Sequence, residues 1–290
     1  MLKTTVLILL IGVSAAAAAS IVSMSTATEV DPVEPDKAKR WLVRKIARHP
    51  RLAAFIRRRL NKKSAGGLLL TVGVLLVILL AAIASALFDM VVGGFGLARW
   101  DAAVARYGVE RADSFTFELY QLFTRLGGTR VVVAVALIVA VYGWWRRRNL
   151  QVALFMLTVT LGQALINNGV KWIVERDRPD LAQLAPWSGT SFPSGHAAAA
   201  AATYAAAAFV LTLDRGTVAR AAAFSAAFFT AAGVAATRAL LGVHWLTDVV
   251  AGLAVGYAWF VICVIAFGGR FMDFGEVQEE VAAEPTSVQA

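Results

Sequence analysis

The chain has 290 residues, of which 59% are hydrophobic and only 16% charged, with a net charge of +9 at pH 7. Soluble domains carry about 25% charged residues, so this composition excludes an ordinary soluble protein and points to an integral membrane protein of the cell membrane. The basic residues lie mainly in short loops and one juxtamembrane block, which ties the positive charge to orientation in the bilayer and implies no nucleic-acid partner.

The first segment, residues 1–28, contains the run VLILLIGVSAAAAASIVS. It reads as a signal-like apolar core, as an additional helix with its N-terminus outside, or as sequence preceding a true start at Met24. The next segment, residues 29–65, holds twelve Lys or Arg and no acid between Lys37 and Lys63, which places it in the cytoplasm. Trp41, Leu42, Phe55 and Leu60 among those charges fit equally a segment lying on the anionic inner leaflet and a solvated basic linker. His49, inside this block, reads as an interfacial bystander.

Residues 66–270 form the expected membrane domain. Apolar runs long enough to span a bilayer as helices fall near 66–90, 129–146, 150–174, 195–213, 218–237 and 245–268. Barrel strands are about half as long and alternate in polarity, so the expected fold is all-α: a polytopic six-helix bundle, with a possible seventh helix at the N-terminus. Arg146, Arg147, Arg148, Arg215, Arg220 and Arg270 all fall on the cytoplasmic side in that arrangement. The stretch 91–128, with Trp100, Tyr107, Phe115, Phe117 and Tyr120, is expected to be an outer-face loop with a short amphipathic helix that either shapes headgroup choice or caps the bundle. Cys263 lies within the last apolar run and reads as a small buried hydrophobe. The tail, residues 271–290, is acidic and is expected to be disordered and cytoplasmic.

With this topology, three polar clusters meet on the outer face: KWIVERDRP at Lys171–Pro179, PSGH at Pro193–His196, and TRALLGVHWLTD at Thr237–Asp248. Ionisable groups at membrane depth are costly unless paired or hydrated, so their convergence calls for a function. Lys171, Arg178 and Arg238 supply three cations, and guanidinium groups hold phosphate oxygens bidentately. Ser194 and Gly195 lie at the start of the fourth span, where free backbone N–H groups and the helix dipole favour an anion. His244 and Asp248 are four residues apart, a spacing that on one helix face lets the carboxylate set the imidazole tautomer. Arg238 and His244 are six apart and would face different ways on one straight helix, so a break is expected near Gly242. His196, from another helix, is placed to protonate a departing oxygen. Asn167 and Asn168 read as interhelical hydrogen-bonding residues, and Trp172, Trp187 and Trp245 as an interfacial aromatic belt.

These spacings, Lys171 with Arg178-Pro179, then Pro193-Ser194-Gly195-His196, then Arg238 with His244 and Asp248, resemble the three-part signature of the type 2 phosphatidic acid phosphatase superfamily, which includes the vanadium haloperoxidases. Thr237 stands where that pattern has serine. The resemblance implies a metal-independent phosphatase without a cofactor. In it His244 attacks phosphorus to give a phosphohistidine, Asp248 supports His244, and His196 protonates the leaving group. Lys171, Arg178, Ser194, Gly195 and Arg238 hold the phosphate oxygens. The expected partner is a lipid phosphate or diphosphate, such as an isoprenoid (undecaprenyl-type) diphosphate, phosphatidate or phosphatidylglycerol phosphate. A lipid phosphotransferase and a noncatalytic lipid-phosphate binding or transport protein are the alternatives.

Overall fold

The computed structural model describes the backbone of residues 65–283 and the side chains of residues 75–267. The N-terminal apolar segment, the basic stretch up to residue 64 and the last residues of the tail lie outside the described residues. Within them the chain is helical: α1 (Ala65–Gly93), a 3-10 turn (Gly96–Trp100), α2 (Asp101–Glu110), α3 (Ser114–Leu126), α4 (Thr129–Arg147), α5 (Leu150–Val174), α6 (Gly195–Leu211), α7 (Thr217–Leu240) and α8 (Leu246–Ala283). Five of these are long and apolar enough to cross a membrane: α4, α5, α7, α1 from Leu75, and α8 as far as Phe267.

The fourth expected run, α6, has 17 residues. At ~1.5 Å per residue it is ~25 Å long, short of the ~30 Å hydrocarbon core. It occupies the middle of the bundle, packed by α4, α5, α7 and α8. That position explains its composition. Ala197, Ala198, Ala200, Ala201 and Ala202 are fully buried, so small side chains let four neighbours approach at once. The closest approach is from α8, where Gly252 and Gly256 are four residues apart on one face. A Cβ at Gly252 would fall 2.6 Å from Ser194 O, and one at Gly256 would fall 2.4 Å from Ala198 O. The main chains of α6 and α8 are therefore in direct contact, and Ser194 N–H donates to Asp248 O at 3.0 Å. Nearer the opposite end of α6, Phe155, Met156, Val159 and Val210 form the largest apolar core, joined by Cys263, which is buried as expected.

Two expectations need correction. The 91–128 stretch is a 3-10 turn and two helices rather than a loop with one. Asp113 caps α3, its Oδ1 accepting from Thr116 N at 2.8 Å. The acidic tail expected to be disordered from residue 271 is helical to Ala283. The run GEVQEEVAA is rich in helix formers, and the first proline after it is Pro285.

Candidate active site

Four helix ends converge: the C-terminus of α5, the N-terminus of α6, the C-terminus of α7 and the N-terminus of α8. α5 stops because Glu175 takes a left-handed conformation (φ 46°), its N–H donating to Lys171 O at 3.1 Å. The turn carries the chain into the loop that holds Arg176 and Arg178. α7 stops at Leu240, and Gly242 at φ 70° supplies the expected break. A left-handed residue there turns the chain so that Arg238 and His244 serve one site.

His244 lies in this turn, ahead of α8, and not on a shared helix face with Asp248. Its Nδ1 is 3.5 Å from Asp248 Oδ2 and 3.5 Å from Ser191 Oγ. Its Nε2 is 3.2 Å from Arg178 Nη1. A guanidinium has no acceptor, so Nε2 must carry the lone pair, and the proton then sits on Nδ1, facing Asp248. Burial holds the His244 imidazole down to about 4, reinforced by Arg178 and Arg238 and partly offset by Asp248. The ring is thus neutral at neutral pH, with its lone-pair nitrogen directed at Arg178.

Asp248 is fully buried and fully satisfied. Oδ2 accepts from Trp245 N at 2.9 Å and from Ser191 Oγ, and Oδ1 accepts from Arg176 Nη1. The bond to Trp245 N is an N-terminal cap, so the carboxylate that faces His244 also starts α8. Arg176 continues the network, donating from Nη1 to Thr247 Oγ1 at 2.8 Å and from Nη2 to Asp101 Oδ2 at 2.8 Å. Asp101, the first residue of α2, accepts from Thr247 N at 2.9 Å and from Thr247 Oγ1 at 2.7 Å. Two carboxylates therefore sit at the positive end of α8, bridged by one guanidinium.

Arg178 donates to four backbone carbonyls: Val243 O at 2.5 Å, Ser188 O at 2.8 Å, Gly189 O at 3.0 Å and Thr190 O at 3.1 Å. It thereby pins the 188–190 loop, and Trp187 lies over its guanidinium at 5.0 Å. Burial lowers its pKa, with Asp248 acting in the other direction. Lys171 Nζ donates to the same Thr190 carbonyl. Arg238 is 2% exposed, with Nη1 on Thr124 Oγ1 at 3.2 Å, Nη2 on Pro186 O at 3.4 Å, and a buried Nε that has no hydrogen-bond partner among the described residues. Ser194 Oγ is likewise buried without a partner. Unsatisfied buried donors cost about 1–3 kcal/mol each, so these two, at the start of α6 and the end of α7, leave hydrogen-bonding capacity that an anion can satisfy.

His196 packs against the Gly127-Gly128 turn that joins α3 to α4. A Cβ at Gly127 would fall 2.9 Å from His196 O, and one at Gly128 would fall 4.0 Å from His196 Nε2. Arg238, His244, Arg178 and Lys171 are all near enough to act on the His196 ring electrostatically. All eight residues singled out in the sequence thus lie in one region, lined by cations. Among the described residues, no group of three or more His, Cys, Asp or Glu is arranged to hold a metal ion.

The sequence reading missed Asp101, Thr124 and Ser191. The first two come from the stretch between α1 and α4, which reaches into the site. Thr237 donates its hydroxyl to Val234 O at 2.9 Å, back onto its own helix. Asn167 is buried, with its amide nitrogen 3.2 Å from a Cβ placed on Gly195, whereas Asn168 is exposed and makes no interhelical bond among those described. Of the expected aromatic belt, Trp172 is exposed; Trp187 and Trp245 cover Arg178 and Arg176.

A model of the PAP2 superfamily matches residues 151–272. Phosphatidylglycerophosphatase B of Bacillus subtilis is 30% identical over 167 residues, covering 56% of this chain and 80% of that protein. A lipid A 1-phosphatase of Rhizobium etli is 28% identical over 180 residues, covering 54% of this chain and 73% of that protein. The crystal structure of a transmembrane PAP2 type phosphatidylglycerolphosphate phosphatase from Bacillus subtilis superposes with a TM-score of 0.59 at 27% identity, covering 68% of this chain and 96% of that one. The matched residues 151–272 contain all eight candidate residues, while Asp101 and Thr124 lie outside them.

Proposed function

Since the chain belongs to the PAP2 superfamily, and is accordingly a multi-pass membrane phosphatase, we propose that it hydrolyses the phosphomonoester or diphosphate headgroup of a lipid through a phosphohistidine at His244. The observation that carries this reading is the geometry of the His244 ring: Nδ1 lies 3.5 Å from Asp248 Oδ2 and Nε2 lies 3.2 Å from Arg178 Nη1, which makes Nε2 the lone-pair nitrogen.

In the first step Nε2 attacks phosphorus, an N–P bond forms, and the P–O bond to the lipid breaks. His196 gives a proton to the departing oxygen. In the second step water attacks phosphorus and passes its proton to His196, the N–P bond breaks, and inorganic phosphate leaves. Lys171, Arg178, Arg238, the Ser194 hydroxyl and the N–H groups at Gly195 stabilise the charge on the phosphoryl oxygens. Each such donor supports roughly 2.7–4 kcal/mol of barrier lowering.

The same reading places α6 as a sixth, protein-enclosed span and the site on the extracytoplasmic face, with Arg146 to Arg148, Arg215 and Arg220 at the cytoplasmic end. An isoprenoid diphosphate, phosphatidate and phosphatidylglycerol phosphate all present the required headgroup. Phosphate release from a panel of these lipids, compared between the intact chain and His244→Ala, tests the proposal. Loss of release by at least about a thousandfold in the variant is expected, and equal release by both proteins would remove it.

A further inference from the structure

At the end of the bundle remote from the active site, the C-terminal ends of α4 and α6 and the turn after α6 border a cleft of about 200 Å³. Its walls carry Arg146, Arg147 and Arg215 against a single acid, Asp214, with Tyr142 and Leu211 at its edge. α6 runs from His196 at the active site to Leu211 at this cleft, which separates the two by ~22 Å.

Orientation in the membrane explains basic residues at this end but not their convergence on a cavity. Helix capping does not explain it either. The exposed carbonyls at the end of α6 are already served by Arg220, which donates to Thr212 O at 3.4 Å and Leu213 O at 3.2 Å. Arg147 is paired with Asp214 at 2.5 Å. Arg146 and Arg215 have no ion pair among the described residues, so the cleft holds more positive charge than its own structure uses. Its surroundings are apolar: Tyr142, Trp145 and Leu211 are 41%, 62% and 45% exposed.

We propose that this cleft binds the phosphodiester headgroup of an anionic phospholipid in the leaflet opposite the active site. Arg146 and Arg215 hold the phosphate oxygens, and the lipid tails run along the surface of Tyr142, Trp145 and Leu211. The cleft is lined by no histidine, so the lipid is held and not turned over. The proposal does not depend on the chemistry assigned to His244.

The test uses the full chain in detergent, scored by native mass spectrometry for retained lipid and by thermal shift, with phosphatidylglycerol, phosphatidylcholine and inorganic phosphate as separate additions. Substituting Arg146→Gln with Arg215→Gln weakens the phosphatidylglycerol response at least tenfold, while Asp214→Asn, which removes the acid and releases Arg147, strengthens it. Opposite effects from two variants of one cleft do not arise from misfolding. Phosphatidylcholine gives no response that depends on these residues. An unchanged phosphatidylglycerol response in both variants overturns the site. Equal stabilisation of the unsubstituted chain by inorganic phosphate, abolished by the double substitution, overturns the lipid assignment in favour of a free anion.

Discussion

Replacing Arg176 with alanine breaks the link between the matched family segment and Asp101, which lies outside it. Its guanidinium makes three side-chain hydrogen bonds, to Thr247, Asp248 and Asp101, and lies 5.4 Å from the Trp245 ring. The Asp101 and Asp248 side chains that it bridges are 5% and 0% exposed. Removing it leaves two negative charges buried without their cation, and breaking such a pair costs about 3–5 kcal/mol. At roughly 2–4 °C per kcal/mol for a domain of this size, the melting temperature of the purified protein falls by about 6–20 °C. The local charge argument also predicts compensation. Asp101→Asn removes one of the stranded charges while Asn keeps a carbonyl for Thr247 N, so Arg176→Ala is less damaging in that background, with a coupling of about 0.5–3 kcal/mol. Arg176→Lys recovers part of the stability but not the fork that spans both carboxylates. Thermal unfolding of the four proteins of the cycle measures this, and strictly additive effects would refute the charge-bridging account.

Further expectations concern the pocket and its scaffold. Because His244 has a folded value of about 4 against an ordinary 6.5, the unfolded chain takes up the proton first as pH falls. Its effect on stability is therefore absent above about 6.5, and stability declines as pH drops from there towards 4; urea unfolding across this range checks the sign. The neutral Nε2 persists over the same interval, so the acid limb of kcat/KM that reports His244 lies near 4, and a limb near 6.5 assigned to this ring by substitution would contradict the burial argument. Arg178→Lys forfeits contacts to four loop and turn carbonyls and to Nε2, so it lowers kcat/KM by about a hundredfold or more despite retaining the charge, as steady-state phosphate release would show. Gly256→Val drives a side chain into Ala198 O, 2.4 Å from its Cβ, and separates α8 from α6; loss of folded yield is expected, and a fully stable active variant would show that the close approach is dispensable.

The features legible in the sequence were those expressed over short distances along the chain. His196 after Pro-Ser-Gly, the pair His244 and Asp248, and the break implied by six residues between Arg238 and His244 all rest on local spacing, and Gly242 adopts the conformation that spacing required. Asp101 was invisible for the converse reason: its partners Arg176 and Thr247 lie 75 and 146 residues away, and a single acid at the start of an amphipathic helix carries no pattern. The same holds for Thr124, which is 114 residues from Arg238. The position of His244 ahead of α8 was misread because a spacing of four suggests one helix face, whereas here Asp248 reaches back to cap the helix start. Gly252 and Gly256 were a readable signal for close helix contact that the apolar run obscured. The enclosure of α6 by four neighbouring helices is a tertiary circumstance that hydropathy does not record.

The central claim, that His244 Nε2 takes the phosphoryl group, is tested most directly by rapid acid-free quenching of the protein with a lipid phosphate carrying labelled phosphorus, followed by phosphorus NMR and peptide mapping. The account predicts an acid-labile, base-stable N-linked phosphate on His244 that is absent from His244→Ala. A labelled intermediate on any other residue, or full turnover by His244→Ala, would contradict it.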